Sequence, residues 1–179
     1  MIIKNMYNIP VEFIEEAASY AKLSRSYTSN RHDFHQGGLK NKQMKMFEGK
    51  LGEKIFKTFL IENKILFEED HSDYTIADDY DFILPNGLKI DIKTRTKDFH
   101  VRTLEMVEQF RKKPKDVYVS IRLFPDKFCG SIIGWFSKED ILRINRIENQ
   151  GYLDNYVLYD NELHNIEKLY NEQLKNFIE

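Results

Sequence analysis

The 179-residue chain is 41% hydrophobic, carries a net charge of −2 and has a single cysteine, Cys129. That length and apolar share suit one folded domain with a sizeable core, and a lone cysteine excludes both an intrachain disulfide framework and a cysteine-based zinc site. No apolar run approaches the roughly 20 residues needed to cross a bilayer, and residues 1–10 lack the start of a signal peptide, so a cytoplasmic setting without a membrane partner is expected.

Residues 10–25 read as a first helix, with Pro10 at its first turn and Val11, Ile14, Ala18 and Leu23 at helical intervals. Residues 26–42 are polar, basic and broken by Gly37-Gly38, which predicts a loop. The strongest helix is predicted over 43–63, where Met44, Phe47, Leu51, Ile55 and Phe59 recur at steps of three or four. Strand-like pieces follow at 65–67, 74–76, 80–84 and 88–94, with Pro85-Asn86-Gly87 turning between the last two. A helix is expected over 103–113, stopped by Pro114, and then strands at 117–124 and 130–136. Ser137-Lys138-Glu139-Asp140 reads as a capping box opening a short helix to Arg143. One more strand at 156–159 and a closing helix over 161–177 complete a mixed α/β domain built on one central sheet.

Charge is unevenly spread along these elements. Residues 20–57 hold nine Lys/Arg against three Asp/Glu, and residues 89–115 hold nine against four. Residues 58–88 between them hold one lysine against eight acids, and residues 145–179 hold three basic residues against seven acids. Two basic blocks flanking an acidic one suit a polyanion site with cation-binding carboxylates at its centre, though solvated surfaces also fluctuate in this way.

The hairpin over 80–94 is the most informative stretch. With Pro85-Asn86-Gly87 as a three-residue loop and Gly87 in the left-handed position, Leu84 faces Leu88, Phe82 faces Ile90 and Tyr80 faces Ile92, all on one apolar face. On the other face Ile83 meets Lys89, and Asp81 stands opposite Asp91. A two-residue loop would mix apolar and charged residues on both faces, so the pattern selects the longer one. Facing aspartates repel, and a divalent cation such as Mg²⁺, which takes carboxylate oxygens, would remove the conflict. Lys93 emerges on the same face two residues beyond Asp91 and could hold a water or neutralise charge at phosphorus. Ordinary surface ion pairs on an exposed sheet face are the competing account.

Asp81, a nine-residue gap and Asp91-Ile92-Lys93 resemble the PD-(D/E)XK nuclease signature, with Tyr80 where that signature has a proline. The chain also holds Glu48-Gly-Lys50 and Glu62-Asn-Lys64, but these fall in a helix, where i and i+2 do not share a face. The resemblance implies that Asp81 and Asp91 bind the metal, that the Ile92 carbonyl adds a ligand, and that Lys93 is catalytic. It also implies a glutamate on the preceding helix. The run from Gly49 to Leu60 looks like that helix, which makes Glu53 a further ligand, direct or through water, with Glu48 as its rival.

At 100° per residue Glu53 falls with Gly49, Phe56 and Leu60 at the border of the buried face, and Lys50, Lys54 and Lys57 fall on the solvent side. A glutamate favoured by the dipole of the helix N-terminus is the plainer alternative for Glu53. Gly49 and Gly52 cost helix stability and so point to a close approach by another backbone or a ligand.

The resemblance spans about residues 43–136 and implies a restriction-endonuclease-like core, a central mixed β-sheet flanked by helices. Residues 1–42 form an N-terminal helical and basic extension, and residues 137–179 a C-terminal helical one. The implied activity is Mg²⁺- or Mn²⁺-dependent hydrolysis of nucleic acid, expected to be endonucleolytic and on DNA. Three rivals stand beside it: an inactive binding module on the same fold, an RNA-cleaving version, and an assembly protein with an accidental motif. Lys40, Lys42, Lys45, Lys50, Arg95 and Lys97 are the candidate phosphate contacts, with Arg25, Arg31 and Tyr27 near the first group and Arg102 and Arg111-Lys112-Lys113 at lower weight. His32 and His35 lack a third zinc ligand, and Trp135 and Phe136 fit a core strand. The amphipathic stretch 162–177 fits either packing on the domain or a homodimer.

Overall fold

The computed structural model describes residues 1–24, 39–70, 79–149, 151 and 153–178, with backbone alone at 39 and 40. In chain order these hold β1 (Tyr7–Asn8), α1 (Val11–Leu23), α2 (Leu39–Glu62), β2 (Glu68–Glu69), β3 (Phe82–Ile83), β4 (Lys89–Arg95) and β5 (Arg102–Met106). There follow α3 (Val107–Lys112), β6 (Val117–Phe124), β7 (Cys129–Ser137), α4 (Lys138–Ile144), β8 (Ile147–Asn149), β9 (Asp154–Tyr159) and α5 (Ile166–Leu169). The chain then winds through a π-helical turn, Tyr170–Leu174, and a 3₁₀ turn, Lys175–Phe177.

Six strands make a mixed sheet in the order β1-β7-β6-β4-β3-β2, and β5-β9-β8 make a second, antiparallel sheet. Among the described residues only β4 and β6 run parallel, and that pairing needs a crossover, which β5 and α3 supply. Every second residue of β6, namely Val117, Val119, Ile121 and Leu123, joins Leu51, Ile55, Phe56, Phe59 and Leu60 of α2 in one core. On the opposite face Tyr118 stacks on Phe136 at 5.1 Å within a second cluster with Val107, Phe110, Ile141, Tyr156 and Leu158. Burial on both faces is why β6 reads as an almost unbroken apolar run. Trp135 and Phe136 are core residues, as their strand pattern predicts, and the Ser137/Asp140 capping box opens α4.

Three expectations need correction. The loop predicted over 26–42 gives way to helix at Leu39, because residues 39–42 hold neither Gly nor Pro; residues 25–38 and the strand expected at 74–76 lie outside the described residues. The helix predicted over 103–113 is a strand up to Met106 and a helix only from Val107. Leu104, Val107 and Phe110 have helical spacing, but pairing of β5 with β9 over five residues overrides it. The C-terminal extension is not all helical either, since β8 and β9 build the second sheet.

Helix α2 crosses β4 at Gly52. A methyl group there would overlap the Thr94 hydroxyl and lie 2.8 Å from its methyl carbon, whereas one at Gly49 would meet nothing within 4 Å. A close approach by another part of the chain therefore holds for Gly52, while Gly49 lines the cavity described below. Gly52→Ala should cost about 1–3 kcal/mol by lifting the helix off the strand. Gly49→Ala should be neutral or stabilise by up to about 1 kcal/mol through helix propensity. Urea unfolding of the two variants checks this, and equal stabilities would refute the contact.

Candidate active site

Gly87 takes φ 85° and donates its N–H to the Leu84 carbonyl at 2.8 Å, while the Leu84 N–H bonds the Leu88 carbonyl at 3.0 Å. That closes the three-residue loop and sets Phe82 against Ile90 and Ile83 against Lys89, the register that the alternation requires. Phe82, Leu84 and Ile90 are buried, and Leu88 and Ile92 pack on the same core.

Beyond Phe82 the strands depart from that register. The Asp81 N–H donates to the Ile90 carbonyl at 3.0 Å, so Asp81 and Phe82 share one partner residue, as at a β-bulge. Asp81 is therefore not directly opposite Asp91. The ladder does not pair Tyr80 with Ile92 either, and the Tyr80 ring lies 5.8 Å from the Lys89 ammonium. The Asp81 carboxylate instead accepts the Ile92 N–H at 2.6 Å. Strand β4 runs on to Arg95, and β3 pairs with it only at Lys89 and Ile90. The N–H and C=O of one strand residue point to the same side, so the Ile92 carbonyl also faces this edge.

A cavity of about 800 Å³ opens here, walled by Glu48 and Glu53 of α2 and by Asp81, Asp91, Ile92 and Lys93. Burial holds the Asp81 carboxyl well above the usual carboxylate range, and the nearby charges of Glu53 and Asp91 push it further; Lys50 and the Ile92 N–H oppose this without prevailing. Burial also raises Glu48, against the pull of Lys97 and Lys45.

Two lysines answer the other acids. Lys50 Nζ lies 2.9 Å from Glu53 Oε2, and Lys93 Nζ lies 2.8 Å from Asp91 Oδ2 and 2.5 Å from Glu105 Oε2. Burial works against the Lys93 ammonium, yet Asp91 and Glu105 together outweigh it and hold its pKa above the lysine range. Among the described residues, no group of three or more His, Cys, Asp or Glu side chains stands ready to enclose a metal ion.

Of the expected phosphate contacts, Lys45 is exposed and lines the cavity, Lys42 is half-buried outside its wall, and Lys97 is exposed at the surface. The Lys40 side chain, Arg25, Tyr27, Arg31, His32 and His35 lie outside the described residues. Lys50, Lys54 and Lys57 do not face solvent. Lys54 pairs with Glu16 at 2.9 Å and Glu69 at 2.5 Å, Lys57 pairs with Glu69 at 2.6 Å, and Lys50 sits 4.4 Å over the Tyr20 ring. Helix α1 and strand β2 cover that side of α2, which no local pattern announces. Arg95 lines the cavity from within the fold rather than from its surface.

The helical spacing of Leu104, Val107 and Phe110 hides Glu105, which lies on a strand. Its signal is the period-two alternation of Arg102–Met106, which turns Thr103 and Glu105 inward. No protein-family model and no curated protein matches this chain.

Since folding raises the Asp81 pKa, its effect on stability has a definite sign. The folded state binds this proton more tightly, so stability present below the unfolded value of about 3.9 is lost as pH rises through the folded pKa. Asp81→Asn keeps an acceptor for the Ile92 N–H but removes the charge. In EDTA it should melt at least about 2 °C above the parent protein at neutral pH. The gain should vanish near pH 4, and an unchanged Tm at neutral pH would count against the enclosed charge.

Proposed function

We propose that the protein is a divalent-metal-dependent nuclease that hydrolyses phosphodiester bonds in DNA, on the restriction-endonuclease-like core implied by the PD-(D/E)XK resemblance. The observation that carries this reading is the meeting of Glu53, Asp81, Asp91 and Lys93, from a helix, a bulge and one strand, on a single cavity at the edge of β4. The order α2, hairpin, crossover helix α3 and parallel strand β6 supports it as well.

The donor set suits a hard cation. Carboxylate oxygens from Asp81, Asp91 and Glu53 with the Ile92 carbonyl are oxygen ligands of the kind that Mg²⁺ and Mn²⁺ take. The raised Asp81 pKa marks a place where positive charge is in demand. A bound ion supplies an activated water and offsets charge on the phosphate. Lys93, whose ammonium is held between Asp91 and Glu105, can donate to the attacking water or a non-bridging oxygen. Lys45 at the rim offers a further contact to the phosphate backbone.

One observation favours a second reading, a nucleic-acid-binding module without catalysis: Lys50 and Lys93 already neutralise two of the carboxylates. Incubating plasmid DNA and a structured RNA with Mg²⁺, Mn²⁺ or EDTA separates the two. The nuclease reading expects ion-dependent cleavage of DNA. Asp91→Ala and Lys93→Ala should each lower it at least about hundredfold while the circular dichroism spectrum is kept. Retained cleavage removes that residue from the mechanism. RNA cleavage alone changes the substrate, and binding without cleavage favours the module.

A further inference from the structure

Strand β4 points Asp91, Lys93 and Arg95 to one side, so a carboxylate, an ammonium and a guanidinium follow one another at steps of roughly 6.6 Å. The carboxylate end is the site described above. The other end of the cavity is lined by Arg95, Thr96, His100, Arg102 and Thr103.

Arg95 is only 6% exposed. Its Nη1 donates to the His100 carbonyl at 2.9 Å and lies 2.8 Å from Asp160 Oδ1, but its Nε and Nη2 are buried without an acceptor. In the parallel register of β4 and β6 its neighbour is Arg122, about 4.8 Å away across the ladder. Arg122 donates to the same His100 carbonyl at 2.8 Å, and its Nε also lacks an acceptor. Like charges side by side on adjacent strands repel. The acids facing this pair are Asp160 and, at 3.3 Å from Arg122, Asp98, whose side chain is 90% exposed and screened by water. Arg102, paired with Glu148 at 2.5 Å, adds a third guanidinium. Burial and then the charges of Arg95, Arg122, Arg102 and Lys97 hold the His100 imidazole below its usual range, so four cations surround one ring.

We infer that this end of the cavity is a second phosphate site, in which Arg95, backed by Arg122 and flanked by Arg102 and His100, holds a phosphate of the same DNA strand next to the one that is cut. A phosphate oxygen provides the acceptor that the buried guanidinium nitrogens lack, and the planar fork of arginine matches it. About 13 Å separates Asp91 from Arg95 along β4, which leaves room for the strand to reach from one end to the other. The identity of the strand rests on the nuclease reading; the anion site does not.

The test is fluorescence anisotropy of a short fluorescein-labelled DNA duplex in EDTA, where no cleavage occurs, over a series of salt concentrations. Arg95→Gln should weaken binding about tenfold or more and reduce the slope of log K against log salt by about one. The double variant His100→Ala/Arg102→Ala, at partly exposed positions, should do the same if the buried variant fails to fold. Lys168→Ala, beside Trp135 and away from this cavity, should bind like the parent. Parent-like affinity and slope in both arginine variants, or no binding by the parent protein, overturns the second site. Loss of binding in these variants from a protein that cuts no nucleic acid would keep the anion site and reject the nuclease.

Discussion

Lining one cavity with Glu53, Asp81 and Asp91 is the constraint on which the rest of this structure depends. Burial makes a charged Asp81 carboxyl costly, and the charges of Glu53 and Asp91 add to that cost. The fold meets that demand with short, specific devices. Gly52 lets α2 settle against Thr94, which brings Glu53 to the strand edge. The bulge at Asp81 turns its carboxylate onto the Ile92 N–H. Lys50 and Lys93 neutralise the other two acids, which leaves Asp81 as the member of the trio whose charge is least compensated.

The same strand that gathers negative charge at one end gathers positive charge at the other. Arg95 and Arg122 sit side by side for the reason that Val119 and Ile92 do: the parallel ladder sets neighbours without regard to charge. A cavity with carboxylates at one end and guanidiniums at the other is matched by a ligand that is anionic throughout but bridged to one end by a cation. A chain of phosphates with a dication on one of them has that form.

Legibility in the sequence followed the range of each interaction. Loop length and register in the hairpin were readable because apolar alternation and Gly87 act over a few residues, and the structure keeps both. The bulge was not, since it depends on where β3 stops, and nothing in Tyr80-Asp81-Phe82 records that. Helical geometry alone places Lys54 and Lys57 of α2 in water. They are covered by Glu16 from α1 and Glu69 from β2, whose docking no helical wheel contains. Glu105 was lost for a similar reason: Leu104, Val107 and Phe110 carry a local helical period, while the strand that holds Glu105 exists through its pairing with β9, some fifty residues further on.

That last pairing alters the standing of the C-terminal segment. Strand β5 belongs to the second sheet, where its Glu105 is paired with Tyr156 of β9, and its Thr103 hydroxyl bonds Ser120 of β6 at 2.9 Å. Glu105 in turn fixes Lys93 beside Asp91. Asp160, immediately after β9, is the carboxylate that holds Arg95. Both ends of the cavity thus take their orientation from residues that follow the hairpin and helix carrying the motif. A fragment ending after β7 would retain Glu53, Asp81, Asp91 and Lys93 in sequence, yet lose β9 as a partner for β5 and Asp160 as a partner for Arg95. Helix α2 and the hairpin supply the carboxylates, and the second sheet sets where Lys93 and Arg95 point.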